Sequence, residues 1–309
     1  MTKAIAFFEF GGTDVLRPID VELPAPGPGQ VLVEVRAAGV NPLDFKLRAG
    51  AMAAVFPVPL PFVPGFELAG VVRSVGPDVT AWAPGDEVFG AVMGGAHAEH
   101  ALVPADLLAR KPATLSWEQA AAIPVAAETA ERALDVLGVR AGETLLVHGA
   151  AGGVGTVLLQ FARARGITVI GTASEGNHAH LRELGAIPVA YGDGLAERVR
   201  AVAPGGVDRA LDAAGQGGVL PLSVELTGSA DRVLTIADFA GAAEHGIRFS
   251  GGAEAGESYN GRAYESALAL HAAGALRLPL HRVLPLAEAA EAHRASEHGH
   301  LRGKIVLTV

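Results

Sequence analysis

Hydrophobic and polar positions alternate through the first third of the chain. Val31, Val33 and Val35 fall on one face, and Leu32, Glu34 and Arg36 on the other. A period of two is the mark of a half-buried strand. The run Pro24-Ala25-Pro26-Gly27-Pro28-Gly29 before it reads as a turn, because proline cannot donate to a sheet ladder. Residues 68–75 and 87–92 read as further short strands, with Pro84-Gly85-Asp86 as the turn between them. Short strands punctuated by glycine and proline predict a compact, barrel-like β domain.

The pattern changes near Ser116. Ser116-Trp117-Glu118-Gln119 sets a serine at a helix N-cap and a glutamine three residues on, a capping box. Pro124 breaks or offsets the helical pattern after it. Residues 144–148 form an apolar strand. After it Val154, Val157, Leu158 and Phe161 recur at i, i+3, i+4 and i+7, one face of a helix that Gly166 stops. Residues 167–172 give the next strand, 179–184 a helix, and 187–191, 207–213 and 232–237 later strands with helical spacers. This alternation predicts an α/β fold, a doubly wound parallel sheet with helices on both faces. Helices around 264–273 and 286–296 precede a last strand, 304–309, expected to return to the N-terminal barrel. The expected division is 1–120 for the β domain, 121–258 for the nucleotide-binding domain, and 259–309 for the return.

Half of the 309 residues are hydrophobic and 18% are charged, enough apolar surface for a core and too little charge for a disordered chain. Lys and Arg number 24 against 33 Asp and Glu, a formal net charge of −9. That balance argues against nucleic acid and against anionic lipid as partners. Cysteine is absent, which excludes disulfides, thiolate nucleophiles, iron–sulfur clusters and cysteine-containing zinc sites. No long apolar run follows Met1-Thr2-Lys3-Ala4, so no signal peptide is expected. The most apolar stretch, 51–66, carries Pro57, Pro59, Pro61 and Pro64 and is no membrane span. The expected location is cytoplasmic.

The strongest chemical signal is His148-Gly149-Ala150-Ala151-Gly152-Gly153-Val154-Gly155, at a strand end and opening a helix. Glycines let backbone approach a pyrophosphate, and the helix N-terminus offers N–H groups and a positive dipole end. The alternative is a tight turn without a ligand. The first fingerprint position is Ala150, and the strand–loop–helix context carries the reading. A site for NAD places Asp or Glu at the end of the second strand, about 20 residues on. Thr172-Ala173-Ser174 stands there instead. The Ser174 hydroxyl can donate to a 2′-phosphate that a carboxylate would repel, with Asn177, His178 and Arg182 nearby. NADP(H) is therefore the expected cofactor, and Glu175 is the residue that argues the other way. His97-Ala98-Glu99-His100 lacks the spacing of a helical zinc motif, and Glu297-His298-Gly299-His300 reads as a solvated turn. No metal is expected.

Motifs spread along the whole chain carry a resemblance. They are Gly39-Val40-Asn41-Pro42-Leu43-Asp44, Pro64-Gly65-Phe66-Glu67-Leu68-Ala69-Gly70, Pro84-Gly85-Asp86-Glu87-Val88, the glycine loop with Gln160, and Gly303-Lys304-Ile305-Val306-Leu307. The chain resembles the medium-chain dehydrogenase/reductase superfamily, and within it the zinc-independent quinone oxidoreductase (zeta-crystallin-like) branch. The resemblance implies a GroES-like β-barrel domain split around a Rossmann domain, commonly as a homodimer. Zinc members place a cysteine near Asn41 and a histidine at Phe66, so the resemblance implies no catalytic zinc. Asn41 and Thr129 match residues that approach the nicotinamide, Gly152, Gly153, Val154 and Gly155 the pyrophosphate loop, and Tyr191 a residue near the adenosine phosphate. Gly215 and Ile236 match later strand ends that line the cofactor.

Two departures stand out. Asn177-His178 replaces the usual lysine of the loop after the second strand. Lys46 and Met52 stand where many quinone reductases carry tyrosines. The expected activity is hydride transfer to a small electrophile, a quinone or another conjugated C=C or C=O acceptor, with Asp44 and Lys46 as candidate proton donors. The competing reading of that pair is a turn-capping aspartate and a surface lysine. Phe45, Met52, Val55, Phe56 and Phe62 fit either a substrate pocket or barrel core. An enoyl or alkenal reductase is the alternative in the same fold, favoured by Lys46. A non-catalytic NADPH-binding structural or regulatory protein is the alternative of another class.

Overall fold

A computed structural model describes residues 1–215, 218–252 and 258–309. The chain forms two compact units, Met1–Val125 with Leu278–Val309, and Ala126–Arg277.

The first unit opens with β1 (Thr2–Phe7) and β2 (Leu16–Val21), an antiparallel pair. Then come β3 (Gln30–Val40), α1 (Pro42–Arg48), β4 (Glu67–Val75), β5 (Glu87–Ala91), β6 (His100–Pro104), β7 (Leu108–Arg110) and α2 (Trp117–Ala121). The alternation in β3 holds: Val31, Val33 and Val35 are buried together with Leu68, Val72, Val88 and Val103. Beyond Arg36 the strand is buried on both faces, and the alternation ends. β3 runs antiparallel to β4, with register shifts between Leu32 and Val33 and between Val35 and Ala37. Its first half also pairs with β6. Such bulges bend a long strand, so that one strand serves successive neighbours as a barrel requires. The Ser116–Gln119 capping box forms at the start of α2.

Pro124 opens a helix instead of breaking one. It is the first residue of α3 (Pro124–Leu137), where the missing N–H is no loss. The second unit continues with β8 (Thr144–His148), α4 (Gly153–Ala164), β9 (Thr168–Ala173), α5 (His178–Glu183), β10 (Ile187–Ala190), α6 (Leu195–Val202), β11 (Arg209–Asp212), α7 (Val219–Thr227), β12 (Val233–Thr235), α8 (Phe239–His245), β13 (Arg248–Phe249) and α9 (Asn260–Ala272). Six parallel strands lie in the order β10-β9-β8-β11-β12-β13. The order reverses between β8 and β11, the switch point at whose carboxyl ends open α/β sheets bind ligands. Leu146, Ile170, Val189, Ala210 and Val233 from successive strands share one core with Val199 and Leu220.

The compact units divide after Val125 and again after Arg277, beside the expected divisions after 120 and 258. α9 belongs to the second unit because its partners lie on α3. Arg262 pairs with Glu131 at 2.8 Å and Asp135 at 3.2 Å, and Tyr259 Oη donates to Asp135. The chain then returns as β14 (Leu280–Pro285), α10 (Ala289–His298) and β15 (Lys304–Thr308). β15 runs parallel to β14 and antiparallel to the second half of β3. Among the described residues no helix is long and apolar enough to cross a membrane.

Candidate functional site

The glycine loop joins β8 to α4. Gly149 takes a positive φ of 75°, and Gly152 is the N-cap. A Cβ on Gly155 would lie 2.5 Å from the Gly149 carbonyl oxygen and 2.6 Å from that of Ala150. The first turn of α4 therefore rests directly on loop backbone, and only glycine fits. No side chain caps α4. Among the described residues no side-chain acceptor meets its leading amides, and the loop beside them carries nothing bulkier than alanine. This is a cradle whose chemistry suits a pyrophosphate.

Buried polar groups brace the strand ends around it. His148 closes β8 with Nε2 3.0 Å from Ser223 Oγ and Nδ1 3.4 Å from Thr172 Oγ1. The Ser223 hydroxyl donates to the Val219 carbonyl, so Nε2–H of His148 is the donor to Ser223. Burial pushes the His148 imidazole down from 6.5 to about 4, with Asp212 acting in the opposite sense. Asp212, at the end of β11, accepts from the amides of Ala214 and Gly215 and from Thr235 Oγ1. Thr235 Oγ1 in turn accepts from the amides of Ala237 and Asp238. Gly215 and Ile236 thus sit on loops fixed by Asp212 and Thr235, two residues that sequence reasoning missed. Their signal was present: a polar residue closing each of two apolar strands.

At the end of β9, Ser174 is exposed, and Asn177 and His178 are half-buried beside it. Asn177 Nδ2 donates to Ser174 Oγ at 3.1 Å, and the serine hydroxyl keeps its own O–H as a donor. His178 Nε2 lies 3.4 Å from the Ala173 carbonyl oxygen. The three residues come together. Glu175, also exposed, opens the following turn. Tyr191, 41% exposed, follows β10, the strand next to β9. Thr129 is buried on α3, where its hydroxyl meets Glu128.

In the first unit Asn41 is the N-cap of α1 and is buried. Its Nδ2 donates to Glu67 Oε1 at 2.8 Å, and Lys304 Nζ donates to both Asn41 Oδ1 and Glu67 Oε1 at 2.5 Å. The amide of Val125 donates to Glu67 Oε2. A Cβ on Gly39 would overlap the Glu67 carboxylate, so that glycine leaves room for the acid. Asn41 is thereby locked by a buried ion pair from two strands. Glu67 and Lys304 stand inside two of the motifs, where sequence alone assigns them no role.

Asp44 is corrected. It is fully buried, with Oδ2 accepting from the Asn41 amide at 2.7 Å and Oδ1 from the Gly65 amide at 2.8 Å. Burial raises its pKa, while His97 and the two amides pull it down. Both oxygens are spent on backbone, and the side chain ties α1 to the residues before β4. It is an anchor, and a proton donor only at the loss of that anchor. Lys46 is half-buried on α1. Phe62 packs on Phe7 and Phe66 and belongs to the core, and Phe56 meets Phe66 edge-on. Val55 is 48% exposed.

His97 is buried against the Gly39 carbonyl and stacks edge-on with His293. Among the described residues, no three His, Cys, Asp or Glu side chains gather as a metal requires. Asn41 and Phe66 are not a zinc donor set.

Residues 27–113 match the family model of the alcohol dehydrogenase GroES-like domain, and residues 184–307 match that of the zinc-binding dehydrogenase domain. The mouse quinone oxidoreductase is 45% identical over 176 residues, 56% of this chain and 53% of that protein. The chain thus matches about half the length of such curated relatives. The solved quinone oxidoreductase of Coxiella burnetii superposes with a TM-score of 0.86 at 33% identity, covering 100% of this chain and 99% of that one. A mycobacterial protein solved in complex with NADPH superposes with a TM-score of 0.83 at 32% identity, covering 99% and 100%.

Proposed function

The chain belongs to the medium-chain dehydrogenase/reductase superfamily, alongside its quinone oxidoreductases, and from that premise we propose a zinc-independent, NADPH-dependent reductase acting on quinones or other conjugated C=C or C=O acceptors. The observation that carries the reading is the uncapped start of α4 over a loop where Gly155 admits no side chain. NADPH, when bound, supplies the hydride. The chain's own residues do the rest.

The amides of Gly153, Val154 and Gly155 bind the pyrophosphate. Ser174, with Asn177 and His178, takes the 2′-phosphate, supported by the exposed serine hydroxyl. Loops fixed by Asp212 and Thr235 hold Gly215 and Ile236 along the dinucleotide, and Tyr191 serves its adenosine end. Asn41, held by Glu67 and Lys304, and Thr129 on α3 serve the nicotinamide end. Quinones and enones need no metal here, because conjugation spreads the developing charge and hydrogen-bond donors can stabilise it. Lys46 is the remaining candidate for delivering the proton. Its place on α1, where tyrosines are missing, favours reduction of an activated C=C bond as the second reading. A homodimer in the cytoplasm completes the proposal, and sedimentation equilibrium tests the first half of it.

The deciding experiment mixes the protein anaerobically with NADPH, then NADH, and follows absorbance of the dihydronicotinamide. Acceptors are an ortho-quinone, a para-quinone, a medium-chain 2-alkenal and an enoyl thioester. Oxidation of NADPH by quinones supports the main reading. Oxidation only by the alkenal or thioester supports the second. Binding without oxidation by any acceptor overturns both in favour of a non-catalytic NADPH-binding protein.

A further inference from the structure

The second unit has another concave site, at the other end of its sheet. A pocket of about 560 Å³ is lined by Arg209, Arg232, Arg248, Asp231, Thr227 and Gly228, among others. Its volume lies in the range of small-molecule sites. The topology explains why three arginines meet there. Arg209 opens β11, Arg232 immediately precedes β12, and Arg248 opens β13. These strands are parallel neighbours, so their starts share one edge. Asp212, which braces the glycine-loop end, lies at the opposite end of β11, roughly 10 Å away at 3.3 Å per residue.

The arginines are only partly employed. Arg209 Nε donates to the Leu137 carbonyl and Arg248 Nη1 to that of Val136, the last turn of α3. Arg232 Nη1 donates to the Thr227 carbonyl, the last residue of α7. Arg209 Nη1 reaches the Asp208 carbonyl. Among the described residues none of the three pairs with a carboxylate. A guanidinium carries five N–H donors, and these bonds leave the Nη2 group of each unused. Capping two helix ends accounts for one face of each arginine and leaves the other for a ligand. Asp231 is the single acid of the lining.

We propose that this pocket binds a small phosphate-bearing anion, at a site separate from the dinucleotide cradle. Planar forks matching phosphate oxygens and a net positive lining define the ligand chemistry. The site needs no residue of the glycine loop, so it stands or falls independently of the function proposed above.

Inorganic pyrophosphate is the probe, titrated calorimetrically into the full chain. Wild type should show one saturable event per chain that persists when saturating NADPH fills the glycine loop. Arg232→Gln with Arg248→Gln, both at exposed positions, should weaken it about tenfold or more, the loss expected for charge-assisted bonds to phosphate. Asp231→Asn, also exposed, should tighten it severalfold without removing any donor. Circular dichroism confirms that each variant is folded. Equal affinity in wild type and the double variant would place pyrophosphate elsewhere, in the glycine loop, and overturn the proposal. So would the lack of saturable binding to wild type, or an Asp231→Asn variant that binds no tighter.

Discussion

Acidification should destabilise the second unit through His148, and one substitution isolates the effect. The ring is 1% exposed, and its pKa is about 4 in place of 6.5 because burial disfavours the charged form. The sign comes from linkage. As pH falls below 6.5 the unfolded chain takes up a proton that the folded chain refuses until about pH 4. Stability from this group is therefore complete above pH 6.5, is lost between 6.5 and 4, and changes no further below. The full displacement corresponds to about 3 kcal/mol at ~1.4 kcal/mol per pKa unit, and the part lost between pH 7 and pH 5 to about 2 kcal/mol. His148→Gln removes the titration and keeps an amide donor for Ser223. The assay is thermal unfolding of both proteins at pH 7 and pH 5. For a unit of this size, wild type should fall by roughly 4–8 °C more than the variant over that interval. His293, whose pKa burial also lowers, with His97 and Arg48 adding to it, contributes alike in both proteins and cancels. Equal pH slopes for the two would refute the reasoning.

Gly155→Ala forces backbone apart at the loop; we expect NADPH binding, followed by fluorescence, to weaken at least about tenfold, and stability to fall by roughly 1–3 kcal/mol. Lys304→Met leaves the buried Glu67 without its cation and should destabilise by about 3–5 kcal/mol in urea, whereas pairing it with Glu67→Gln should recover part of that loss. A double-mutant cycle without coupling would remove the ion pair from the account of Asn41. Ser174→Asp should move preference from NADPH toward NADH by at least about tenfold in the ratio of dissociation constants, since a carboxylate repels the 2′-phosphate and accepts ribose hydroxyls. An unchanged ratio would point to Asn177 and His178 as the phosphate's main partners.

The legible part of the chain is the part a short window encodes. The alternation of Val31, Val33 and Val35, the Ser116–Gln119 box and the strand–glycine–helix passage at 144–164 each depend on neighbours within a few residues. Asp44 looked like an acid for chemistry because one of its two partners, the Gly65 amide, lies far along the sequence. Glu67 and Lys304 could have been found by a different question. Each is a charged residue opening an apolar strand, Glu67-Leu68-Ala69 and Lys304-Ile305-Val306-Leu307, and a buried charge needs its opposite. The attachment of α9 is hidden from a short window for the same reason: the acids that hold Arg262 sit on α3, more than a hundred residues earlier.

The seating of β15 against β3 bears on how the protein is made. Val40 pairs with Ile305 and Ala37 with Thr308. On the ribosome, the apolar second half of β3 emerges early and waits for this neighbour while the whole of Ala126–Arg277 is synthesised. Its edge stays open throughout, a template for pairing with other chains. The second unit, contiguous in sequence and rich in local β-α-β contacts, can fold in that interval, whereas the first must await a closure of very high contact order. Trimming the last dozen residues would therefore not shorten a tail. It would remove an interior strand, together with Lys304, and lower the yield of folded protein before any effect on turnover could be measured.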